Sequence, residues 1–561
     1  MRIFSKAGLI VSLVSVVLAG CTSQHQPAQE GFGEYLGGQH ARNISDSARA
    51  AELFGSALEH SPKNPVLLQE AFSLAILDGD FDTALDLAKR QQQVGQPNGV
   101  GLMLLSLNSF RRDDYDAAVE QLGKAKGTGF DSLVAPLVGA WIEAAQGRLE
   151  PALEALEPLQ AVSVFNTFRL AHTAYIYDYL RHDEEAAAAY ARALASPKQR
   201  SLQPVLAYGF FLQRQGRNRD AETLYKEYME KRPGAEQLAE ALSDLDAGRP
   251  PEEIISDPYT AVSMALLVAA GELSRDNART PAILYARLAT FLSPGYDEAY
   301  YLLGTLFIRL EQPKMALRAL ENIPRDSRLS EMTRIREALS WDNLEDTEKA
   351  LSVLRAELQS NSENRNLRTA MGDIMRGHEW YDRALDEYDL AIGNIETPVP
   401  GDWFLFFARG ICYERLDRWD EAEADFETAL ELRPDEPQVL NYLGYSWIDR
   451  GLNIEPAQVM IEKAVEQRPN DGYIIDSLGW VQFLLGNYEE AVRNLERAVL
   501  LQPEDPTINE HLGDAYWSVG RKLESRFQWR HALVLDPDKE RIPAIKDKIA
   551  FGLVLAETAR Q

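Results

Sequence analysis

The sequence predicts an all-α chain, an α-solenoid of about 14 helix pairs in two arms, and three observations predict it. A small residue recurs at Ala50, Ala84, Ala118, Ala152 and Ala186, then at Ala221, Ala282, Ala316, Ala350 and Ala384, with Ala422, Ala457, Ala491 and Ser525 closing the series. Most of those steps are 34 residues, and a fixed period of that length marks a stack of identical supersecondary units. Glycines keep the same register at Gly410, Gly444, Gly479 and Gly513, and so do prolines at Pro434, Pro469, Pro503 and Pro537.

Each position has a physical reason. Two antiparallel helices that cross closely need glycine or alanine where their backbones approach, and a large residue plugs the hole beside them. Gly410, Gly444, Gly479 and Gly513 take the small position of the first helix, and Ala429, Ala464, Ala498 and Ala532 that of the second. Phe426, Ile461, Leu495 and Trp529 are the plugs. Proline ends each unit because it cannot continue a helix.

On these residues the chain is identified as a member of the tetratricopeptide-repeat family over residues 36 to 537, and its expected shape is that family's superhelix. The alanine series breaks between Ala221 and Ala282, where Ala247-Gly248-Arg249-Pro250-Pro251 is not helical sequence. Residues 36–237 are therefore expected to form an N-terminal arm, 238–262 an irregular connection, 263–537 a C-terminal arm and 538–561 a capping helix.

Hydrophobic residues make up 45% of the 561 residues, enough for a packed core. The net charge of −28 repels phosphate backbones and anionic headgroups, which argues against nucleic acid and against polybasic membrane docking. Catalysis has no visible seat. There is no nucleophile elbow, no phosphate-loop lysine and no His/Cys set at metal spacing, so no catalytic residue, metal or cofactor is expected. Gly31 to Gly38 resembles a phosphate loop only superficially, since it follows no strand, and it is expected to be linker.

The first 20 residues place Arg2 and Lys6 before an apolar run from Ala7 to Ala19, the dimensions of a secretory signal. That run is too short to span a bilayer. Leu18-Ala19-Gly20-Cys21 resembles the lipobox of bacterial lipoproteins. The resemblance implies cleavage before Cys21 and acylation of its thiol, with 21–35 as a tether. Thr22 follows the cysteine where, in enteric lipoproteins, an aspartate favours inner-membrane retention, so the outer membrane facing the periplasm is expected. Membrane contact is expected through this anchor only.

In the family's superhelix the first helix of each pair lines the concave face. The residues expected there are Met103, Leu107, Phe110, Leu137, Trp141, Tyr175 and Phe210 in the N-terminal arm. The C-terminal arm adds Phe407, Asn441, Tyr445, Asp476, Trp480, Phe483, Glu510, Asp514 and Trp517. Such a lining suits an amphipathic or extended protein segment. The chain is expected to work as a protein-binding scaffold rather than an enzyme.

Asn441-Tyr442-Leu443-Gly444-Tyr445-Ser446, Asp476-Ser477-Leu478-Gly479-Trp480 and His511-Leu512-Gly513-Asp514 are similar to stretches of proteobacterial lipoproteins of this repeat class. Some of those act as adaptors that bring cell-wall hydrolases to a periplasmic carboxyl-terminal processing protease, and the resemblance implies that role. A scaffold of an export or assembly machine (polysaccharide, pilus or outer-membrane assembly) and an activator of a cell-wall synthase are the alternatives.

Overall fold

The computed structural model describes residues 31–44, 46–125, 131–195, 201–232, 235–251, 253–275, 278–360, 362–393, 395 and 397–553. Among them there are thirty α-helices and no strand. Cys21 and the expected signal lie outside the described residues, as do 554–561 of the expected cap. The chain divides into two compact units, one running to Thr333 and one from Arg334. That division falls later than the expected 238–262 connection.

In the first unit the pairs are α1 (Phe32–Asn43) with α2 (Ser47–His60), α3 (Pro65–Asp78) with α4 (Phe81–Gln93), and α5 (Gly99–Phe110) with α6 (Tyr115–Lys124). They continue as α7 (Asp131–Ala145) with α8 (Leu149–Leu156), α9 (Ser163–Tyr179) with α10 (Asp183–Ala193), and α11 (Leu202–Arg214) with α12 (Asn218–Lys231). A single helix, α13 (Glu236–Asp246), precedes α14 (Pro258–Arg275) with α15 (Arg279–Leu292) and α16 (Asp297–Arg309) with α17 (Pro313–Leu320). Helix α18 (Ser330–Asp342) spans the division and pairs with α19 (Thr347–Leu358).

The second unit holds α20 (Arg365–Gly377) with α21 (Tyr381–Gly393), α22 (Trp403–Arg415) with α23 (Trp419–Leu432), and α24 (Pro437–Asp449) with α25 (Ile454–Gln467). Then come α26 (Gly472–Leu484) with α27 (Tyr488–Leu501), α28 (Pro506–Ser518) with α29 (Lys522–Val534), and the single helix α30 (Ile542–Phe551). The fourteen pairs match the expected solenoid.

Two expected boundaries shift. Helix α1 starts at Phe32, inside the expected tether, and takes in most of the glycine-rich string expected to be linker; packing of Gly38 against Phe54 gives it a reason to be helical. Helix α13 occupies part of the expected irregular connection, which narrows to the residues between Asp246 and Pro258. Helix α30 falls within residues 538–561, where the cap was expected.

The small-and-large rule holds at atomic distances. A Cβ added at Gly513 would lie 2.4 Å from Trp529, and one at Gly410 or Gly479 would lie 2.7 or 2.6 Å from Phe426 or Leu495. The alanines of the 34-residue series are fully buried from Ala50 to Ala491. Some helices start on side-chain caps, with Asn64, Asp80, Asn98 and Asp114 accepting from the first-turn amides of α3 to α6. The turn inside most pairs holds one left-handed residue among the described residues. Glycine supplies it at Gly486 and Gly520, but Asp113, Arg181, Glu311, Glu345, Glu379 and Asp417 hold it elsewhere with φ near 60°.

Candidate protein-binding groove

The first unit does not present the expected open groove. Helix α14 packs along α7, and α15 packs on α3 and α5, so the chain's own helix pair covers the faces where a partner was expected. Arg287 of α15 donates Nε to the carbonyl of Leu77 at 3.0 Å, closing the end of α3, and its guanidinium lies 5.5 Å from the Phe307 ring. Burial pushes that guanidinium down to about 10. Arg111 donates to the Phe291 carbonyl at 2.9 Å, and Phe110 meets Tyr259 of α14 at 4.8 Å.

The consequence for the expected lining is direct. Met103, Leu107, Phe110, Leu137, Trp141, Tyr175 and Phe210 are all buried, and none offers a surface to a partner in this structure. Trp141 is fully enclosed and donates Nε1 to Nδ1 of His172 at 2.9 Å. Because the indole can only donate, that imidazole nitrogen must be unprotonated. Burial of His172 agrees, holding its pKa down to about 4. The segment before α14 also enters this face: Glu253 pairs with Arg181 at 2.7 Å, and Ile254 and Ile255 help close a cavity of about 70 Å³ beside Tyr175 and Tyr190.

The second unit keeps an open groove of about 450 Å³, formed mainly by α22, α24, α26 and α28. Three expected residues meet there: Asn441 and Tyr445 of α24 and Asp476 of α26. Asn441 lines the groove, although its amide oxygen is itself buried and has no hydrogen-bond partner among the described residues. Burial, aided by Asp476 and Asp449, pushes the Tyr445 hydroxyl up to about 12. Asp476 is held by Nδ1 of His511 at 3.0 Å. The groove also uses residues that the repeat register did not single out. Glu414 accepts from the Tyr442 hydroxyl at 3.2 Å, and Arg415, Arg450, Tyr473, Ser477 and Thr507 complete the wall. The lining is tyrosine-rich and polar, with four carboxylates against two guanidinium groups; it holds Asn441 and Asp476, expected as an acidic, hydrogen-bonding edge, but of the expected aromatic residues only Tyr445.

The other expected residues of this unit pack within it. Phe407 is buried between Phe426 at 5.9 Å and Tyr442 at 5.6 Å. Trp480 is half-buried, stacked on His511 at 4.0 Å and on buried Phe483 at 4.9 Å. Glu510 and Asp514 are buried and neutralised by the chain itself: Lys548 of α30 reaches them at 2.7 and 2.6 Å, Arg541 lies 3.0 Å from Glu510, and Trp529 donates to Asp514 at 2.8 Å. Trp517 is half-buried under Lys522 and beside Gly552.

No group of three or more His, Cys, Asp or Glu residues placed to hold a metal occurs among the described residues, and no described helix is long and apolar enough to cross a membrane. Cys412 is buried, which pushes its thiol up to about 12 and keeps it from being a nucleophile.

Comparison with known proteins finds the repeat in the second unit. The tetratricopeptide repeat profile matches residues 403–436, and a second profile, described as TPR repeat, matches 479–520. The chain is similar to TPR repeat-containing protein PA4667 of Pseudomonas aeruginosa, at 32% identity over 96 residues. That alignment spans 17% of this chain and 16% of the relative. Among solved structures, the APC/C hetero-tetramer Cut9-Hcn1 aligns at 13% identity over 94% of this chain and 97% of its own, with a TM-score of 0.42. YrrB, a TPR protein with an unusual peptide-binding site, aligns at 21% identity over 32% and 90%, with a TM-score of 0.24. The chain carries tetratricopeptide repeats at 403–436 and 479–520, and its described residues are all-α helix pairs.

Proposed function

We propose that this chain is a membrane-anchored adaptor of the bacterial cell envelope that binds an extended protein segment in the groove of its second unit. One observation carries the groove assignment: Asn441 and Tyr445 of α24, Asp476 of α26 and Thr507 of α28 line one open cavity across consecutive first helices. The acidic wall of Glu414, Asp449, Asp476 and Asp505 against Arg415 and Arg450 favours a segment with basic side chains.

The anchor is Cys21, and the compartment is the periplasmic face of the outer membrane; both rest on the lipobox and on Thr22. The partners are cell-wall hydrolases and a carboxyl-terminal processing protease, brought together at raised effective concentration. That choice rests on the likeness of the α24, α26 and α28 stretches to adaptor lipoproteins.

Affinity capture from envelope extracts tests the reading, with the Asn441→Ala, Tyr445→Ala double variant in parallel. Recovery of protease and hydrolase together, with either lost from the folded variant, is the expected result. Recovery of export or assembly components instead would replace the adaptor reading with the scaffold one. A synthase recovered without hydrolases would replace it with the activator one, and a variant that captured everything equally would remove the groove.

A further inference from the structure

Residues 247–257 join α13 to α14 and carry no helix among the described positions, as Pro250 and Pro251 require. Glu253 to Ser256 of this segment lie against a floor made by Tyr175, Asp178 and Tyr179 of α9, Tyr190 of α10, and Ala207 and Arg214 of α11. Helices α9 and α11 are consecutive first helices, and Tyr175 holds the register position that Tyr445 holds in the groove of the second unit. A non-helical stretch of the chain therefore lies across first helices as a bound peptide would.

Its attachment is of a reversible kind. The pair between Arg181 and Glu253 joins side chains that are 61% and 41% exposed, and such a pair contributes little. Ile254 and Ile255 pack against the core of the first unit but stay half-buried, whereas Ala261, Val262, Ala265 and Leu266 of the following α14 are sealed. The segment closes a cavity of about 70 Å³ instead of filling it, although packed interiors hold few voids larger than a water molecule. The floor also selects a charge. Arg214 meets both carboxylate oxygens of Asp178 at 2.7 Å, and the Tyr190 hydroxyl donates to the same group at 3.0 Å. Arg181 is left as the cation that the floor offers to a ligand, with tyrosine rings beside it as apolar surface.

We propose that Glu253 to Ser256 are a displaceable internal occupant of a second peptide groove, in the first unit. The partner that displaces them is a protein segment with a carboxylate followed directly by two branched aliphatic residues, the chemistry of Glu253-Ile254-Ile255 itself.

Fluorescence anisotropy of a labelled peptide of residues 250–257, titrated with the full-length chain, tests this. The parent holds its own segment at an effective concentration on the order of millimolar, so weak binding in trans is expected. The Glu253→Ser, Ile254→Ser, Ile255→Ser variant frees the groove and is expected to bind the peptide at least about tenfold more tightly. Arg181→Glu added to that variant should abolish the gain, and a peptide carrying Glu253→Arg should restore it. A released variant that binds no better than the parent overturns the proposal. So does a gain that Arg181→Glu leaves intact, or one that the Glu253→Arg peptide fails to restore. Binding lost instead with Asn441→Ala, Tyr445→Ala would place the peptide in the second unit and overturn it as well. Should the released variant melt well below the parent, hydrogen exchange of the parent decides. Amides 253–256 opening ahead of α9, α11 and α14 is expected, and their opening only together with α14 overturns the proposal.

Discussion

His172 makes the sharpest single-residue case. Its folded pKa of about 4 lies below the ordinary 6.5, so the fold favours the neutral ring. The stability this contributes is complete above about pH 6.5 and is lost as pH falls towards 4, when protonation would cost both desolvation and the bond from Trp141. The full shift corresponds to about 3 kcal/mol. Urea denaturation followed from pH 7.5 to 4.5 should show the first unit weakening, and His172→Gln, which keeps an acceptor but does not titrate, should flatten that dependence. The glycines make the complementary case. Gly513→Ala drives a methyl to within 2.4 Å of the Trp529 ring, which is fixed by its bond to Asp514, so a loss of about 1 to 3 kcal/mol is expected in thermal melts. Gly377→Ala, at a helical position with open space around the added methyl, should be neutral or slightly stabilising.

At the level of elements, two covering devices determine which faces remain available. Helix α30 ends the second unit by placing Lys548 against the buried carboxylates Glu510 and Asp514. Burial raises the Asp514 pKa, opposed by the Lys548 charge, so the ion pair offsets a desolvation cost rather than adding a large surplus. Lys548→Ala leaves those charges short of a partner and should cost on the order of 3 kcal/mol. The loss should appear in hydrogen exchange as faster opening of α28, α29 and α30, with α20 and α21 unchanged. Helices α14 and α15 are the second device. They bring Arg287 to Leu77 across 210 residues of sequence, and their packing converts a groove into a core.

Across the whole molecule, the two compact units imply that unfolding is not a single cooperative step. Calorimetry should resolve two transitions. Acidification through the His172 window should lower the one belonging to the first unit, and Lys548→Ala should lower the one belonging to the second. A single transition that moved as a block under both perturbations would contradict the independence of the units. The functional consequence follows the same division, since the first unit is filled by its own chain while the second retains an open groove.

The repeat period by itself determined the helix pairs, their number, the buried alanine series and the glycine contacts with Phe426, Leu495 and Trp529. These are local demands, set by how closely two neighbouring helices can approach, and a single pair of residues records each one. It also brought Asn441, Tyr445 and Asp476 into the candidate site. It did not distinguish an aromatic that faces a groove from one that faces a neighbouring helix. Trp141 and Tyr445 occupy the same register position, yet one is sealed and the other lines an open cavity. Only the tertiary structure decided between them. Burial depends on which distant elements return to cover a face, as α14 and α15 do in the first unit and α30 does at the end of the second. No local pattern of residues encodes that return.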